Sequence, residues 1–189
     1  MFNLSESKID NILIEQELKL NKALENYNYL QENLYKLNVS KDTHFQKIFN
    51  SYYKIIYRSS KWRSFYYKLL EENKYNEVEF SHLLKKMYIQ TGNYEASFIS
   101  KLVASIDTNY PVIDKYVLRS LDLKLPYSFE KDREYKIISI YKNIQRKIEL
   151  FSISELGKYL ILNFKLYFPE IDISETKMID LILWQNREN

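Results

Sequence analysis

The stretch TNYPVIDKYVLRS, residues 108–120, places one carboxylate, Asp114, three residues after Pro111 and at the start of an apolar helical pattern. An aspartate at the beginning of a helix can accept a hydrogen bond from a free backbone N–H group as an N-cap. The same carboxylate can act in catalysis, because an ionised acid stabilises positive charge that develops in a transition state. Asp114 is therefore the first candidate catalytic residue, with helix capping as the simpler and compatible role.

A second candidate is the basic and aromatic segment of residues 41–68. It holds seven Lys and Arg residues against one acid, Asp42, and residues 44–68 contain nine aromatic side chains. Lys and Arg bind phosphates, and exposed aromatic rings stack on bases. The segment predicts a nucleic-acid-binding surface, and the alternative is a solvated basic face over an aromatic core. A four-residue spacing predicts core positions for Phe45, Phe49, Tyr53 and Tyr57.

The sequence lacks the residues that several other kinds of catalytic or metal-binding site require. The 189-residue chain has no cysteine, which excludes disulfides, thiolate catalysis and cysteine-ligated metal centres. His44 and His82 stand in no metal-ligand spacing, and Gly92 and Gly157 are too isolated to form a phosphate-binding glycine loop. We therefore expect no metal and no cofactor.

The elements that must position these residues are predicted to be helices. Two glycines and three prolines are too few for the turns of an all-β protein. We predict one all-α domain over residues 1–189 with eight or nine helices. It comprises a long N-terminal helix within 1–38, basic and aromatic helices within 41–73, and a turn–helix–turn–helix core at 91–123. Predicted N-caps are Ser7, Ser40, Ser60, Asn93, Asp114, Ser128, Ser154 and Ser174.

The N-terminal helix carries an apolar stripe at steps of four and three, from Ile9 to Leu37. Such a stripe packs a helix onto the body of its own chain or pairs two chains in a coiled coil. Gln16 and Ala23 lie on the stripe and weaken a coiled-coil seam. The first interpretation is favoured, and a homodimer through this helix is the alternative.

Residues 91–123 resemble the core of the helix-hairpin-helix (HhH-GPD) DNA glycosylase superfamily, which includes the endonuclease III, adenine glycosylase and 8-oxoguanine glycosylase families. In that superfamily a glycine-bearing hairpin leads into a helix with a small first residue, and proline and aliphatic residues later precede the catalytic aspartate. Gly92, Ala96 and Asp114 occupy these places, and YPVID supplies the proline and aliphatic residues. The hairpin here reads IQTG, with one glycine and no proline, where the family usually has Leu-Pro-Gly-aliphatic-Gly.

The resemblance implies a monofunctional DNA N-glycosylase. Asp114 would stabilise an oxocarbenium-like sugar and orient or deprotonate the attacking water. Bifunctional members carry a lyase lysine two residues before the small residue. Tyr94 stands at that position here, so no Schiff-base step is expected.

The resemblance and the basic segment together nominate the residues of a DNA site. A target base must leave the duplex to be reached, which requires a pocket with stacking surface. The residues expected to contact the base are Tyr94, Glu95, Tyr53, Trp62 and Trp184. Those expected to contact nucleic acid are Lys54, Arg58, Lys61, Arg63, Gly92, Lys101 and Arg119.

The chain also resembles a group of small bacterial proteins of unassigned function. The shared features are F-N-x-Y-Y followed by W-R, then E-A-S-F-x-S-K-L, P-x-x-D and a terminal D-x-x-L-W, which match residues 49–63, 95–102, 111–114 and 180–184.

Three classes of function remain open. The first is base excision or modified-base recognition on DNA, and the second is non-catalytic nucleic-acid binding by the same fold, in phage defence or on a mobile element. The third is a helical interaction protein that uses the stripe of residues 9–37. The first residues lack the charged and apolar regions of a signal peptide, and no apolar stretch is long enough to span a membrane. We therefore expect a cytoplasmic protein without a membrane partner.

Overall fold

The computed structural model describes residues 2–186, and every regular element in that range is an α-helix. The prediction of an all-α fold is therefore confirmed, although the described residues form ten helices rather than eight or nine. They are α1 (Glu6–Glu15), α2 (Glu17–Leu34), α3 (Thr43–Tyr52), α4 (Ser60–Asn73), α5 (Phe80–Thr91), α6 (Ala96–Ile106), α7 (Lys115–Ser120), α8 (Arg133–Ser152), α9 (Glu155–Tyr167) and α10 (Glu175–Gln185).

The additional helix arises at Gln16, where the predicted long N-terminal helix divides into α1 and α2. Gln16 has φ −109° and ψ 15°, outside the helical range. Its N–H still donates to the Ile12 carbonyl at 3.0 Å, and its carbonyl accepts from the Leu20 N–H at 2.9 Å. One residue with altered dihedrals therefore separates two helices without leaving these backbone groups unpaired.

The N-caps at Ser154 and Ser174 are confirmed. Their hydroxyls accept the N–H groups of Gly157 and Lys177 at 3.1 and 3.2 Å. The five wrong predictions lie within four residues of the observed caps. At Ser5, Asp42 and Ser59 the side chain accepts a backbone N–H group, whereas Glu95 and Asp132 make no side-chain cap hydrogen bond. The observed caps are Ser5, Asp42, Ser59, Glu95 and Asp132, where Ser7, Ser40, Ser60, Asn93 and Ser128 were predicted.

The chain divides into two compact units, with one boundary inside α2 and the other between α6 and α7. The first unit comprises the described residues up to Leu20 together with those from Thr108 onward. In it, α10 packs against α1, α7, α8 and α9, and α9 also packs against α1 and α8.

Two side-chain contacts set the direction of α1 against α9. The Phe2 and Phe151 rings lie 4.4 Å apart, and the Tyr159 hydroxyl donates to Asp10 at 2.9 Å. Both contacts join residues 149 positions apart in the chain, so the two segments run parallel. Asp10 therefore joins α1 to a tyrosine far along the chain.

The second unit comprises Asn21–Asp107 and has an aromatic core. Phe49 lies at its centre, with its ring 5.8 Å or less from the rings of Phe45, Tyr53 and Tyr67. These residues lie on α3, at its C-cap and on α4, while α5 packs against both α4 and α6. The predicted core positions of Phe45, Phe49 and Tyr53 are confirmed.

The apolar stripe of α1 and α2 lies within the chain's own core. The buried members are Ile9, Leu13, Leu20, Tyr27, Leu30 and Leu34. The interpretation that this region packs onto its own chain is consistent with their burial, and the homodimer stays a prediction. Over residues 2–186, none of the helices combines the length and the apolar character needed to cross a membrane.

Candidate carboxylate site and nucleic-acid interface

Asp114 is the N-cap of α7 in the first unit. Its Oδ1 accepts the N–H groups of Tyr116 and Val117 at 2.8 and 2.9 Å, and its backbone is extended at φ −140° and ψ 175°. The side chain is half-buried, and residues 111–113 before it are buried. The carboxylate is thus held by two donors at the end of an anchored loop, and its predicted capping role is confirmed.

Two helices of the first unit hold the loop that precedes Asp114. The Tyr141 hydroxyl on α8 donates to the Pro111 carbonyl at 3.2 Å, in a buried position. The Ser174 hydroxyl at the start of α10 donates to the Thr108 carbonyl at 2.5 Å. The sequence did not nominate Tyr141 or Ser174 for this role, because both lie far along the chain from the residues they bind.

Trp184 is the predicted base-contacting residue that lies in the same unit as Asp114. Its ring meets the Tyr116 ring edge-on at 6.4 Å, and both side chains are half-buried. Tyr116 follows Asp114 by two residues, so these rings lie beside the start of α7. Arg119, predicted to contact nucleic acid, is exposed in the last turn of α7.

Arg58 and Glu95 form an ion pair in the second unit, with Nη2 and Oε2 3.0 Å apart. The Arg58 guanidinium also lies 5.3 Å from the Trp62 ring centre and 4.7 Å from that of Phe98. Its backbone carbonyl accepts from the Nε of Arg63 at 3.1 Å. Arg58, Glu95 and Arg63 therefore join the loop after α3 to the starts of α4 and α6.

Trp62 and Tyr53, two further predicted base-contacting residues, are buried in the second unit. Trp62 stacks on Tyr66 with ring centres 5.0 Å apart, and the Tyr53 hydroxyl accepts from Ser105 at 3.2 Å. Burial, reinforced by neighbouring tyrosines, raises the pKa of Tyr66, whose hydroxyl donates to the Phe98 carbonyl at 2.9 Å. These rings are therefore part of the buried core against which the basic segment packs.

The turn between α5 and α6 has the geometry that its single glycine predicts. Gly92 is exposed and left-handed at φ 73°, and its N–H donates to the Tyr88 carbonyl at 2.7 Å. Tyr94 is half-buried and stacks on Tyr88 with ring centres 4.1 Å apart. Lys101, on α6, places its ammonium 5.1 Å from the Phe98 ring centre.

The lysines of the basic segment point to solvent. Lys68 also pairs with Glu72 at 3.7 Å, and Asp42, the acid of the segment, is occupied as the cap of α3. The surface therefore carries an excess of positive charge. The exposed lysines are Lys41, Lys47, Lys54, Lys61 and Lys68.

The loop between α3 and α4 exposes apolar side chains within this lysine surface. Ile55 is buried, whereas Ile56 is exposed and Tyr57 is 94% exposed. Lys54 and Tyr57 both have φ 55°, a conformation that costs a non-glycine residue about 1–2 kcal/mol. The predicted core position of Tyr57 is wrong, because α3 ends at Tyr52 and the helical spacing does not continue into the loop.

The predicted site residues divide between the two units. Those in the first unit are Asp114, Arg119 and Trp184, and those in the second are Tyr53, Lys54, Arg58, Lys61, Trp62, Arg63, Gly92, Tyr94, Glu95 and Lys101. Comparison of the chain with models of protein families, with curated proteins and with solved structures finds no match. The assignment of function therefore depends on the geometry of the two units and on the sequence resemblance.

Proposed function

We propose that the chain is a monofunctional DNA-glycosylase-like protein in which Asp114 is the carboxylate for base excision or modified-base recognition. One observation carries the proposal, namely the order of elements around Asp114. Helix α5 ends at the left-handed Gly92, α6 follows, and a buried proline-containing loop delivers Asp114 to the start of α7. This is the order that the resemblance implies for a glycosylase core.

The local chemistry at Asp114 supports an electrostatic role. Oδ1 is fixed by two backbone N–H groups, so the carboxylate has a defined orientation. A carboxylate held in place before the reaction stabilises developing positive charge without further reorganisation. The rings of Tyr116 and Trp184 supply aromatic surface beside it. We expect the carboxylate to face the anomeric carbon of the extruded nucleotide, with water as the nucleophile.

The test of the proposal is base release by the wild-type protein and by Asp114→Asn. Asparagine caps a helix about as well as aspartate, so this variant keeps the fold and loses only the charge. Asp42→Asn is the matched control, because Asp42 caps α3 in the same manner, through the Phe45 N–H at 2.7 Å. Duplexes with damaged, mismatched or modified bases are incubated with each protein, and abasic sites are revealed by strand cleavage in hot alkali.

The expected result is base release by the wild type and by Asp42→Asn, and a loss of about 100-fold or more in Asp114→Asn. Duplex binding should be similar in all three proteins. Failure of the wild type to release a base from any duplex, at protein in excess over DNA, would remove the enzymatic form of the proposal.

The lysine surface of the second unit favours a second candidate, a nucleic-acid-binding protein without catalysis. Residues 41–68 hold seven Lys and Arg residues against one acid, and five of the lysines are exposed. Ile56 and Tyr57 add exposed apolar surface at the loop between α3 and α4. Phosphates would bind the lysines, and the exposed ring would stack on a base.

Salt dependence tests this candidate. Each lysine that contacts a phosphate of duplex DNA contributes about 0.9 to the slope of log affinity against log salt. The double variant Lys54→Ala/Lys61→Ala should therefore lower the slope by about 2. Replacement of Lys85 and Lys86, two exposed lysines on α5, is the charge-matched control and should leave the slope unchanged. Equal slopes in the wild type and in the Lys54/Lys61 variant would contradict the candidate.

A further inference from the structure

Residues 124–140, which follow α7 and include the start of α8, surround an open cleft of about 440 Å³. The cleft is lined by the apolar side chains of Leu125, Pro126 and Ile140 and by the aromatic rings of Tyr127 and Tyr135. The volume falls in the range typical of small-ligand sites. The cleft belongs to the first unit, and the residues proposed above for catalysis and DNA contact do not line it.

Two aromatic rings that line this cleft, Tyr127 and Tyr135, are exposed to solvent, and so is Phe129, which stacks on Tyr127. Tyr127 and Phe129 lie parallel, with ring centres 5.6 Å apart and planes inclined by 2°. Their exposed fractions are 69% and 83%, and that of Tyr135 is 75%. Exposure of a phenylalanine ring to water is unfavourable in free energy. Apolar groups that cluster at a surface therefore indicate an interaction site. Tyr127 and Phe129 thus stack on each other, and both rings keep exposed surface on which a planar ligand can extend the stack.

The loop that carries the parallel pair is held by Glu130. Its carboxylate accepts the Tyr127 N–H at 2.7 Å and the Lys136 ammonium at 2.7 Å. The hydrogen bond from the Lys136 side chain lowers the pKa of Glu130, and the hydrogen bond from the Tyr127 backbone contributes less to the same effect. The Glu130 carboxylate is therefore charged at neutral pH. The loop that carries Tyr127 and Phe129 is therefore held in position before a ligand binds, which reduces the conformational entropy lost on binding.

The charge of the lining indicates which planar ligand fits. Lys124 and Lys136 line the cleft together with one acid, Glu130, and Glu130 is already paired with Lys136. Lys124 is exposed and adds positive charge beside the aromatic surface. A ligand with a planar aromatic body and one negative charge matches this arrangement, and the nucleotide of an unpaired strand has both.

We propose that this cleft binds an unpaired nucleotide of single-stranded DNA, with the base stacked on Tyr127 and Phe129 and the phosphate beside Lys124. The proposal rests on the proposed function in taking DNA as the partner. It adds a second contact, specific for unpaired strands, in the unit that carries Asp114. Stacking on aromatic rings tolerates every base, so the contact would report an open strand and not a sequence.

The test measures binding of fluorescein-labelled oligothymidylate, which forms no duplex, by fluorescence anisotropy over a series of salt concentrations. Tyr127→Ala/Phe129→Ala should bind about tenfold more weakly or worse, with an unchanged salt slope, because stacking releases no counterions. Lys124→Ala should lower the slope by about 0.7. Tyr75→Ala, which removes an exposed tyrosine of the second unit, is the control and should bind like the wild type. Far-UV circular dichroism verifies that each variant is folded.

The outcomes separate this inference from the proposed function. Wild-type affinity for oligothymidylate in the Tyr127/Phe129 variant would overturn the inference and leave the proposed function intact. Binding of a proline-rich peptide at these rings, with no binding of oligothymidylate, would likewise overturn it. A wild-type protein that binds neither single-stranded nor duplex DNA would overturn both.

Discussion

The buried ion pair of α10 allows a quantitative test of how the first unit is held together. Lys177 and Asp180 lie three residues apart, with Nζ and Oδ2 at 2.6 Å and side chains 7% and 10% exposed. At an effective dielectric constant of about 20, two unit charges at this distance attract each other by roughly 6 kcal/mol. Removal of both charges from water costs several kcal/mol per ion, so the pair as a whole contributes little net stability.

Breaking the pair is expected to be far more costly than deleting it. Lys177→Met leaves the Asp180 carboxylate buried without this partner, which should lower the free energy of unfolding by about 3–5 kcal/mol. The double variant Lys177→Met/Asp180→Leu removes both charges and should recover most of that loss. Because α10 packs against four other helices of the first unit, the loss should appear in the unfolding of the whole unit.

Urea unfolding followed by far-UV circular dichroism measures these differences. The control is Lys22→Met, because Lys22 and Glu25 have the same three-residue spacing but are 72% and 68% exposed. That change should cost less than about 0.5 kcal/mol. A loss in Lys177→Met no larger than in the Lys22 control would refute the reasoning, and so would a double variant as unstable as the single one.

Two further perturbations have outcomes fixed by the structure. Burial is the main cause that raises the pKa of the Tyr67 hydroxyl. The stability that the neutral Tyr67 contributes is therefore complete below the ordinary tyrosine pKa of about 10, and it is lost as the pH rises above that value. The urea midpoint should therefore fall from about pH 10 upward, and fall less in Tyr67→Phe; identical pH profiles would contradict this. Gly157→Ala should cost at least about 3 kcal/mol, because a Cβ there would lie 1.8 Å from the Phe151 carbonyl oxygen. Gly92→Ala meets nothing within 4 Å and should cost only the strain of its positive φ, about 1–2 kcal/mol, so equal urea midpoints for the two glycine variants would contradict the steric argument.

The helical content and much of the core followed from local patterns, because apolar spacing and capping residues act within a few positions. The spacing of Phe45, Phe49 and Tyr53 located the core face of α3 correctly. The same spacing failed at Tyr57, since a pattern of residue types contains no signal for the positive φ of Lys54 that redirects the chain. Periodicity therefore predicts a face only as far as the helix continues.

The candidate site was harder to predict, because its side chains are fixed by contacts between distant residues. The sequence predicted that Asp114 caps a helix, because this role depends only on the three residues that follow it. It had no means of pairing Arg58 with Glu95, which are 37 residues apart, or Tyr141 with the Pro111 carbonyl. It also passed over the rings of Tyr127 and Phe129, since the exposure of an aromatic side chain depends on what the rest of the fold leaves uncovered.

The basic segment shows that residue chemistry, and not charge alone, decides which side chains pack against the protein and which face solvent. The guanidinium of Arg58 is planar and weakly hydrated, so it suits an ion pair with Glu95 and contact with aromatic rings. An ammonium is a compact, strongly hydrated charge, and the lysines of the segment accordingly remain in water. A lysine surface meets phosphates as point charges, without the bidentate geometry that reads base edges. The second candidate function therefore implies contact with a nucleic-acid backbone irrespective of base sequence.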